Sequence, residues 1–169
     1  GDPLISPRLV RDRAFAAGTV LALVYFAGFT SVFFTLSILW QVGLGHSALS
    51  AGLVTLPFPA GSLITAALSD RFSARLGRTV LVIGCAMVAA GMLALLLVLE
   101  TAGPHLAGWQ IALPLAVAGL GNGLFIAPNI DFVLSAVPPR EAGAASGVLN
   151  TGQRVGSAIG IAAIGTILF

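Results

Sequence analysis

Long apolar runs separated by short polar stretches make up most of this chain. The pattern predicts five membrane-spanning helices, at about residues 14–41, 48–68, 79–99, 109–137 and 143–169. Each run reaches the roughly 20 residues that a helix needs to cross the hydrocarbon core of a bilayer. We therefore expect an all-α membrane protein.

Polar and aromatic side chains share a face in four of these helices. A helix places residues three, four or seven positions apart on the same side, so we expect the shared faces to line a solute cavity. The positions are Thr30, Phe34, Ser37 and Gln41 in the first helix, Thr55 and Ser62 in the second, Asn122, Phe125 and Asn129 in the fourth, and Asn150, Gln153, Arg154 and Ser157 in the fifth. The hydroxyls could instead bond carbonyls of their own helix, an alternative that suits Thr and Ser better than Gln.

Glycines define a separate face of the fifth predicted helix. Gly152, Gly156 and Gly160 recur every four residues and therefore lie on one side. Small residues at this spacing let two membrane helices approach closely, so we expect this face to pack against another helix. Arg154 lies on the opposite arc, and an ionisable residue within a span is a candidate for function.

The third predicted helix has no polar face. After Thr79, Cys85 is its one side chain that is not apolar. A helix that is apolar all round belongs against lipid or deep in packing. The single cysteine excludes an intrachain disulfide framework and a CxxC metal site, and we expect neither a metal nor a cofactor.

Composition supports a membrane protein and argues against a nucleic-acid-binding protein. Hydrophobic residues make up 57% of the chain and charged residues 8%, far from the values of soluble domains, and the mean hydropathy is +1.03. The net charge of +2 does not indicate nucleic acid as a partner, because all eight basic residues are arginines and all but Arg154 cluster beside apolar runs in the N-terminal segment and the loops. The partner expected is the lipid bilayer.

The arginines also predict an orientation. Three lie in the polar segment at residues 1–13, three in the loop after the second helix, and one, Arg140, after the fourth, whereas the other two loops have none. Cytoplasmic loops are enriched in Lys and Arg. We therefore expect residues 1–13 to be a cytosolic linker of a protein in the cell (inner) membrane.

Single residues and short motifs predict details of individual helices and turns. Ser47 is the expected N-cap of the second helix, and Pro57 and Pro59 should kink that helix. His46, in the preceding turn, is interpreted as a solvated loop residue. The Gly-x-Gly-x-Gly run at residues 119–123 does not indicate a dinucleotide site, because no strand precedes it.

Several stretches carry a resemblance to a known family. Residues 33–41 (FFTLSILWQ) and 45–57 (GHSALSAGLVTLP) resemble the start of the C-terminal six-helix half of a major facilitator superfamily transporter, in particular one of the fourteen-helix drug:proton antiporter branch. Residues 137–147 (VPPREAGAASG) and 150–156 (NTGQRVG) are similar to the region where the penultimate helix of that branch begins.

This resemblance implies that the five helices match the ninth to thirteenth spans of such a transporter. Residues 14–169 would then form a partial C-terminal transmembrane domain, with the last span and the N-terminal half missing. A chain that begins without Met and stops within an apolar run agrees with a fragment.

A charged stretch after the second helix is similar to a second copy of the family's cytoplasmic loop motif. Its residues are Asp70, Arg71, Arg75, Gly77 and Arg78. In the family, the acidic residue of this motif acts as a latch against the other half. Extra residues between Asp70 and Gly77 depart from the family pattern, and a merely positive cytoplasmic loop would also explain the charges.

The function implied by the resemblance is secondary active transport and not enzymatic catalysis. We expect part of a proton-coupled multidrug exporter that works by alternating access, confers antibiotic resistance, and acts on amphipathic organic substrates. No acidic residue falls near the middle of a predicted span, so proton coupling is expected in the missing half. A transporter of one specific metabolite and a non-transport membrane scaffold or enzyme subunit remain as alternatives.

Overall fold

The computed structural model describes residues 13–103, 106–135 and 137–168. This part of the chain is almost entirely helical and contains no strand. Its elements are α1 (Arg13–Ile38), a π-helical segment (Leu39–Gly43), α2 (Ala48–Thr55), α3 (Pro57–Leu76), α4 (Thr79–Ala102), α5 (Gly108–Ser135) and α6 (Ala142–Leu168). The expected all-α class is confirmed. Of the expected linker at residues 1–13, all but Arg13 lies outside the described residues.

Helix length and apolarity agree with a membrane protein. Among the described residues, four stretches are long and apolar enough to cross a bilayer, namely Phe15–Gly43, Ala48–Leu76, Thr79–Ala102 and Gly108–Ser135. Helix α6 has 27 residues, which correspond to about 40 Å. The described residues are those of a multi-pass membrane protein.

The second predicted span is two helices and not one kinked helix. Leu56 separates α2 from α3, and Pro57 is the first residue of α3. Proline is well tolerated at this position because its missing N–H would have no partner within the helix. The N-cap prediction is confirmed, since the Ser50 N–H donates to the Ser47 hydroxyl at 3.2 Å.

This span also ends later than residue 68, its predicted end. Helix α3 continues to Leu76, so Asp70 and Arg75 are helical and do not belong to a loop. Neither glycine nor proline interrupts residues 69–76. Gly77 then ends the helix with a φ of +54°, a left-handed conformation that glycine adopts without steric cost.

The chain forms two compact units, one of residues Gly1–Leu39 and Ile130–Phe169 and the other of residues Trp40–Asn129. The described elements of the first unit are α1, the end of α5, and α6. Its apolar core consists of Phe15, Ala22, Val133, Val137, Ala145 and Leu149. The second unit contains the π-helical segment, α2, α3, α4 and most of α5.

Glycines on both sides of α5 hold the second unit together. Cβ atoms at Gly119 and Gly123 would overlap atoms of α3, and a Cβ at Gly121 would overlap the backbone of α4. Helix geometry explains this alternation, since residues four apart share a side and the residue between them lies about 200° away. Thr65 adds a hydrogen bond from its hydroxyl to the C=O of Leu120, at 2.8 Å. The Gly-x-Gly-x-Gly run is therefore a helix-packing element.

Candidate functional site

The first unit brings together two positions that were expected to line a cavity. The hydroxyl oxygens of Thr30 and Ser157 lie 2.9 Å apart, and Thr30 Oγ1 also lies 2.7 Å from the C=O of Phe26. A hydroxyl has one proton, so when Thr30 donates to Phe26 it can accept from Ser157. Both side chains are half-buried. The pair is a hydrogen-bonded link between α1 and α6.

The glycine face of α6 lies against α1 beside this pair. A Cβ at Gly156 would overlap the backbone of Leu23, and a Cβ at Gly160 would overlap the backbone of Ala27. At Gly152 the contact is looser, 3.3 Å from the position of a Cβ to the methyl group of Thr19. The two backbones therefore touch along the half of α6 that contains Ser157.

Arg154 lies on the face of α6 opposite the glycines, and the amide side chains of Asn150 and Gln153 lie on the arc between the two faces. Arg154 precedes Gly156 by two residues and therefore points about 200° away from it. Arg154 and Asn150 are exposed, and Gln153 is half-buried. Helix α6 thus has glycines where its backbone contacts α1, and polar side chains elsewhere on its surface.

A groove between α1 and α6 lies beside these faces. Its volume is ≈ 650 Å³, and Leu23, Val148 and Val155 give it mainly apolar walls. Thr19 also lines it, and the hydroxyl of Thr19 is buried without a hydrogen-bond partner among the described residues. None of the expected cavity positions lines this groove.

Helix α1 carries an aromatic row that was not predicted from the sequence. The rings of Tyr25 and Phe29 are nearly parallel, with centroids 6.2 Å apart, and the centroids of Phe29 and Phe33 are 4.7 Å apart. All three side chains are half-buried, as are the expected positions Phe34 and Ser37. Spacing by four residues was the signal that could have revealed this row.

The second unit contains another pair of expected positions. Asn122 on α5 donates through Nδ2 to the hydroxyl oxygen of Ser62 on α3, at 2.6 Å. Both residues are half-buried. The amide and the hydroxyl therefore join two helices of this unit.

Other positions of the second unit that were expected to line a cavity bond within their own helix, are buried, or lie in the π-helical segment. The Thr55 hydroxyl lies 3.1 Å from the C=O of Ala51 and 2.9 Å from that of Gly52, which is bonding within its own helix. Phe125 is 0% exposed and Asn129 is 4% exposed. Gln41 is half-buried in the π-helical segment.

The residues of the charged motif lie at the junction of α3 and α4. Asp70, Arg71 and Arg75 are on the last two turns of α3, while Gly77 and Arg78 form the turn that follows. All five are exposed.

Chemically, the two interhelical pairs and the polar face of α6 offer hydroxyls, amides and one guanidinium. Such groups can hydrogen-bond a solute, and the neighbouring aromatic and aliphatic side chains can contact its apolar parts. Within the described ranges, no three His, Cys, Asp or Glu residues are placed to hold a metal ion.

Known proteins resemble this chain over nearly its whole length. A "Probable actinorhodin transporter" of Streptomyces coelicolor is 36% identical, covering 100% of this chain and 29% of the relative. The "Multidrug resistance protein Stp" of Mycobacterium tuberculosis is 30% identical, with 99% of this chain and 30% of the relative covered. The "Puromycin resistance protein pur8" of Streptomyces alboniger is 32% identical, with corresponding coverages of 98% and 33%.

This chain therefore spans about a third of the length of the curated relatives it matches. The family model described as Major Facilitator Superfamily matches residues 2–161. This match includes the described residues of α1 to α5 and most of α6. The chain belongs to the Major Facilitator Superfamily.

Proposed function

We propose that this chain is part of a proton-coupled multidrug exporter that works by alternating access. The observation that carries the proposal is the two-sided character of α6, which is packed through glycines on one face and exposes Arg154 on the other. Ionisable residues within membrane spans commonly mark the path of a substrate or an ion. Relatives named for multidrug resistance, puromycin resistance and actinorhodin transport support the same role.

The remaining parts of the transporter would lie outside this chain. Alternating access needs two halves that rock about a site near the middle of the membrane, and the chain covers about a third of its relatives' length. We expect the N-terminal half to be its partner. The acidic residues of the described helices, Asp70, Glu100 and Asp131, lie near helix ends, so the coupling proton is expected to bind in that other half.

The substrate wall would be formed by polar groups of the first unit. Thr30 and Ser157 supply hydroxyls that are already ordered by a hydrogen bond, and Ser37, Asn150 and Gln153 would extend the wall, with Phe34 for apolar contact. In the second unit, Gln41 is a separate candidate, and Ser62 and Asn122 are better explained as a link between α3 and α5. Phe125 is better explained as core, because its side chain has no exposed surface. This mixture suits amphipathic organic molecules.

The proposed orientation places the α3–α4 and α5–α6 turns in the cytoplasm. The first carries Arg71, Arg75 and Arg78, and the second carries Arg140. In this orientation Asp70 lies at the cytoplasmic end of α3, where its exposed carboxylate could contact the other half as a latch. Single cysteines introduced at His46 and Ser73, with Cys85 replaced by Ala, test the orientation. An impermeant thiol reagent should label the first from outside and not the second, and the reverse pattern would refute it.

Transport itself can be measured with the full-length protein in everted vesicles. An imposed proton gradient should drive uptake of an amphipathic dye, and a protonophore should abolish it. The 169-residue chain alone, reconstituted as a matched control, should give no flux because it lacks the other half. Dye uptake that persists after the gradient is collapsed, or flux through the 169-residue chain, would contradict the proposal.

A further inference from the structure

The groove between α1 and α6 lies on a different side of α6 from the amide side chains. Val148, Thr151 and Val155 line it, and because they recur at intervals of three and four residues they share one side of the helix. Gln153 precedes Val155 by two residues and therefore points about 200° away. The groove is thus separate from the polar wall proposed to contact a transported substrate.

The groove has the size and the walls of a site for a hydrocarbon chain. Its volume of ≈ 650 Å³ falls within the range of about 300–1,000 Å³ that is typical of ligand sites. The described residues that line it all belong to α1 and α6, and most of them are apolar. Since α1 belongs to a stretch that is long and apolar enough to cross a bilayer, the hydrocarbon available along this groove is that of membrane lipid.

The two helices that form the groove run in the same direction. Gly156 of α6 lies against Leu23 of α1, and Gly160 lies against Ala27, so both chains ascend together. Their N-terminal ends therefore lie at the same end of the groove. The partial positive charge of a helix N-terminus favours an anion at that end.

Two arginines add full positive charges at this end. Arg13 begins α1, Arg140 precedes the first residue of α6 by two positions, and both side chains are exposed. The acidic residues nearby in the chain are less available to the groove. Glu141 is half-buried, and Asp131 belongs to α5, which contributes no described residue to the groove wall. This end of the groove therefore favours a negatively charged headgroup.

A hydroxyl is also buried in the groove wall. Thr19 Oγ1 has no hydrogen-bond partner among the described residues, and an unpaired buried hydroxyl is unfavourable. Thr19 follows Arg13 by six residues, or about 9 Å along the helix axis. The ester carbonyls of a phospholipid lie between its phosphate and its acyl chains. A lipid with its phosphate at the level of Arg13 would therefore bring a hydrogen-bond acceptor towards Thr19.

We propose that the α1–α6 groove holds one acyl chain of an anionic phospholipid whose phosphate lies at Arg13 and Arg140. Basic pockets between membrane helices bind anionic headgroups, and an arginine near the membrane surface favours such a lipid by about fivefold. A neutral phospholipid would fill the groove with the same hydrocarbon but would lack this gain.

The lipid site does not depend on transport. The proposed orientation assigns it to the cytoplasmic leaflet, which is the leaflet with the negative surface potential. Vesicles that contain the same lipids in both leaflets test the site in either orientation, so its failure would leave the proposed transport function untouched.

Photocrosslinking tests the groove in the full-length protein that contains this chain. The protein is reconstituted into phosphatidylcholine vesicles with a minor fraction of phosphatidylglycerol that carries a photoreactive acyl chain, and labelled residues are mapped by mass spectrometry. Labelling should be stronger at Val148 and Val155 than at Leu93 and Leu97, which are exposed on α4 and report the surrounding bilayer. Equal or weaker labelling in the groove would overturn the proposal, because the groove would then meet only bulk lipid or be covered by another helix.

A groove-filling variant distinguishes a bound acyl chain from lipid that merely passes. Gly147 lines the groove, and no atom lies within 4 Å of the position of a Cβ there, so Gly147→Leu should fill the groove without disturbing the fold. Labelling at Val148 should fall to the level of α4. Gly143→Leu is the matched control, because its Cβ is equally unobstructed and Gly143 does not line the groove. Unchanged labelling in Gly147→Leu, or an equal loss in Gly143→Leu, would contradict a site in the groove.

Competition with unlabelled lipid tests the headgroup. The measured quantity is the amount of phosphatidylcholine that halves the labelling of the groove, divided by the corresponding amount of phosphatidylglycerol. This ratio should exceed one in the parent and fall about two- to fivefold in Arg13→Gln and in Arg140→Gln. Arg71→Gln, which removes an exposed arginine of α3, should leave it unchanged. A ratio of one in the parent, no change in the two groove variants, or an equal fall in Arg71→Gln would refute an anionic lipid site at these arginines.

Discussion

Helix α5 packs against its neighbours through glycines on two opposite sides, whereas the glycine contacts of α6 lie on one side. Gly119 and Gly123 of α5 lie against α3 and Gly121 lies against α4, but Gly156 and Gly160 of α6 both lie against α1. A helix that touches neighbours on both sides has little surface left for a solute. A helix that touches one neighbour can expose the other side.

The polar residues of the two helices follow this difference. On α5, Asn122 is bonded to Ser62 of the adjacent helix. On α6, Arg154 and Asn150 are exposed on the side away from the glycines. The distribution of close glycine contacts therefore separates polar residues that join helices from those that are available to a substrate. The following changes test this comparison, from the largest expected effect to the smallest.

Gly121→Leu should have the largest effect on folding. A Cβ at this position would lie 2.6 Å from the C=O oxygen of Gly84 and 2.7 Å from the amide nitrogen of Val88, so two helix backbones must separate. Overpacking usually costs about 1–3 kcal/mol, and backbone overlap should place this variant at the upper end. Gly28→Leu is the matched control, because no atom lies within 4 Å of the position of its Cβ. Membrane abundance and Tm should fall for Gly121→Leu only, and equal values in both variants would contradict the packing argument.

Loss of the Asn122–Ser62 hydrogen bond should have an intermediate effect. Polar contacts between membrane helices contribute about 0.6 kcal/mol on average and up to about 1.7 kcal/mol, and this 2.6 Å bond should lie in the upper half of that range. A double-mutant cycle with Asn122→Ala and Ser62→Ala measures the coupling through unfolding in mixed micelles. A coupling energy indistinguishable from zero would show that the two side chains do not stabilise the unit.

The Thr30–Ser157 contact should contribute less. When Ser157→Ala removes its hydroxyl, Thr30 keeps its hydrogen bond to the C=O of Phe26, so no polar group is left without a partner. We expect a coupling energy of at most about 0.6 kcal/mol in the cycle with Thr30→Val. A coupling larger than that of the Asn122–Ser62 pair would reverse the order and contradict this reasoning.

The spacing of residues in the sequence was sufficient to predict the helices, but not to predict which side chains contact each other between helices. Apolar runs predicted the number of long helical stretches. The four-residue spacing of Gly156 and Gly160 predicted that both lie on the same side of α6. Whether Thr55 bonds its own helix or another depends on its rotamer, and the burial of Phe125 depends on residues far away in the chain. Neither is encoded in a local pattern.

Two differences at helix ends have a similar cause. The second span was predicted to end before Asp70 because the charges that follow suggested a loop, yet a charged stretch remains helical until a residue such as Gly77 stops it. The break at Leu56 was expected as a kink, because a proline in the sequence does not reveal whether it stands inside a helix or at its first residue. Tertiary packing decides between the two.

The most direct test of the account compares the two faces of α6 in the full-length protein. Gly156→Leu should lower membrane abundance, because its side chain would push α6 away from the backbone of Leu23. Arg154→Ala should keep normal abundance and reduce drug export about tenfold or more, since hydrogen bonds to charged groups are worth roughly 1.5–3 kcal/mol, and Arg154→Lys should retain part of the export. Abundance by immunoblot and efflux per molecule are measured side by side for the three variants. Normal export by Arg154→Ala, or a Gly156→Leu protein as abundant as the parent, would contradict the assignment of one face to packing and the other to substrate.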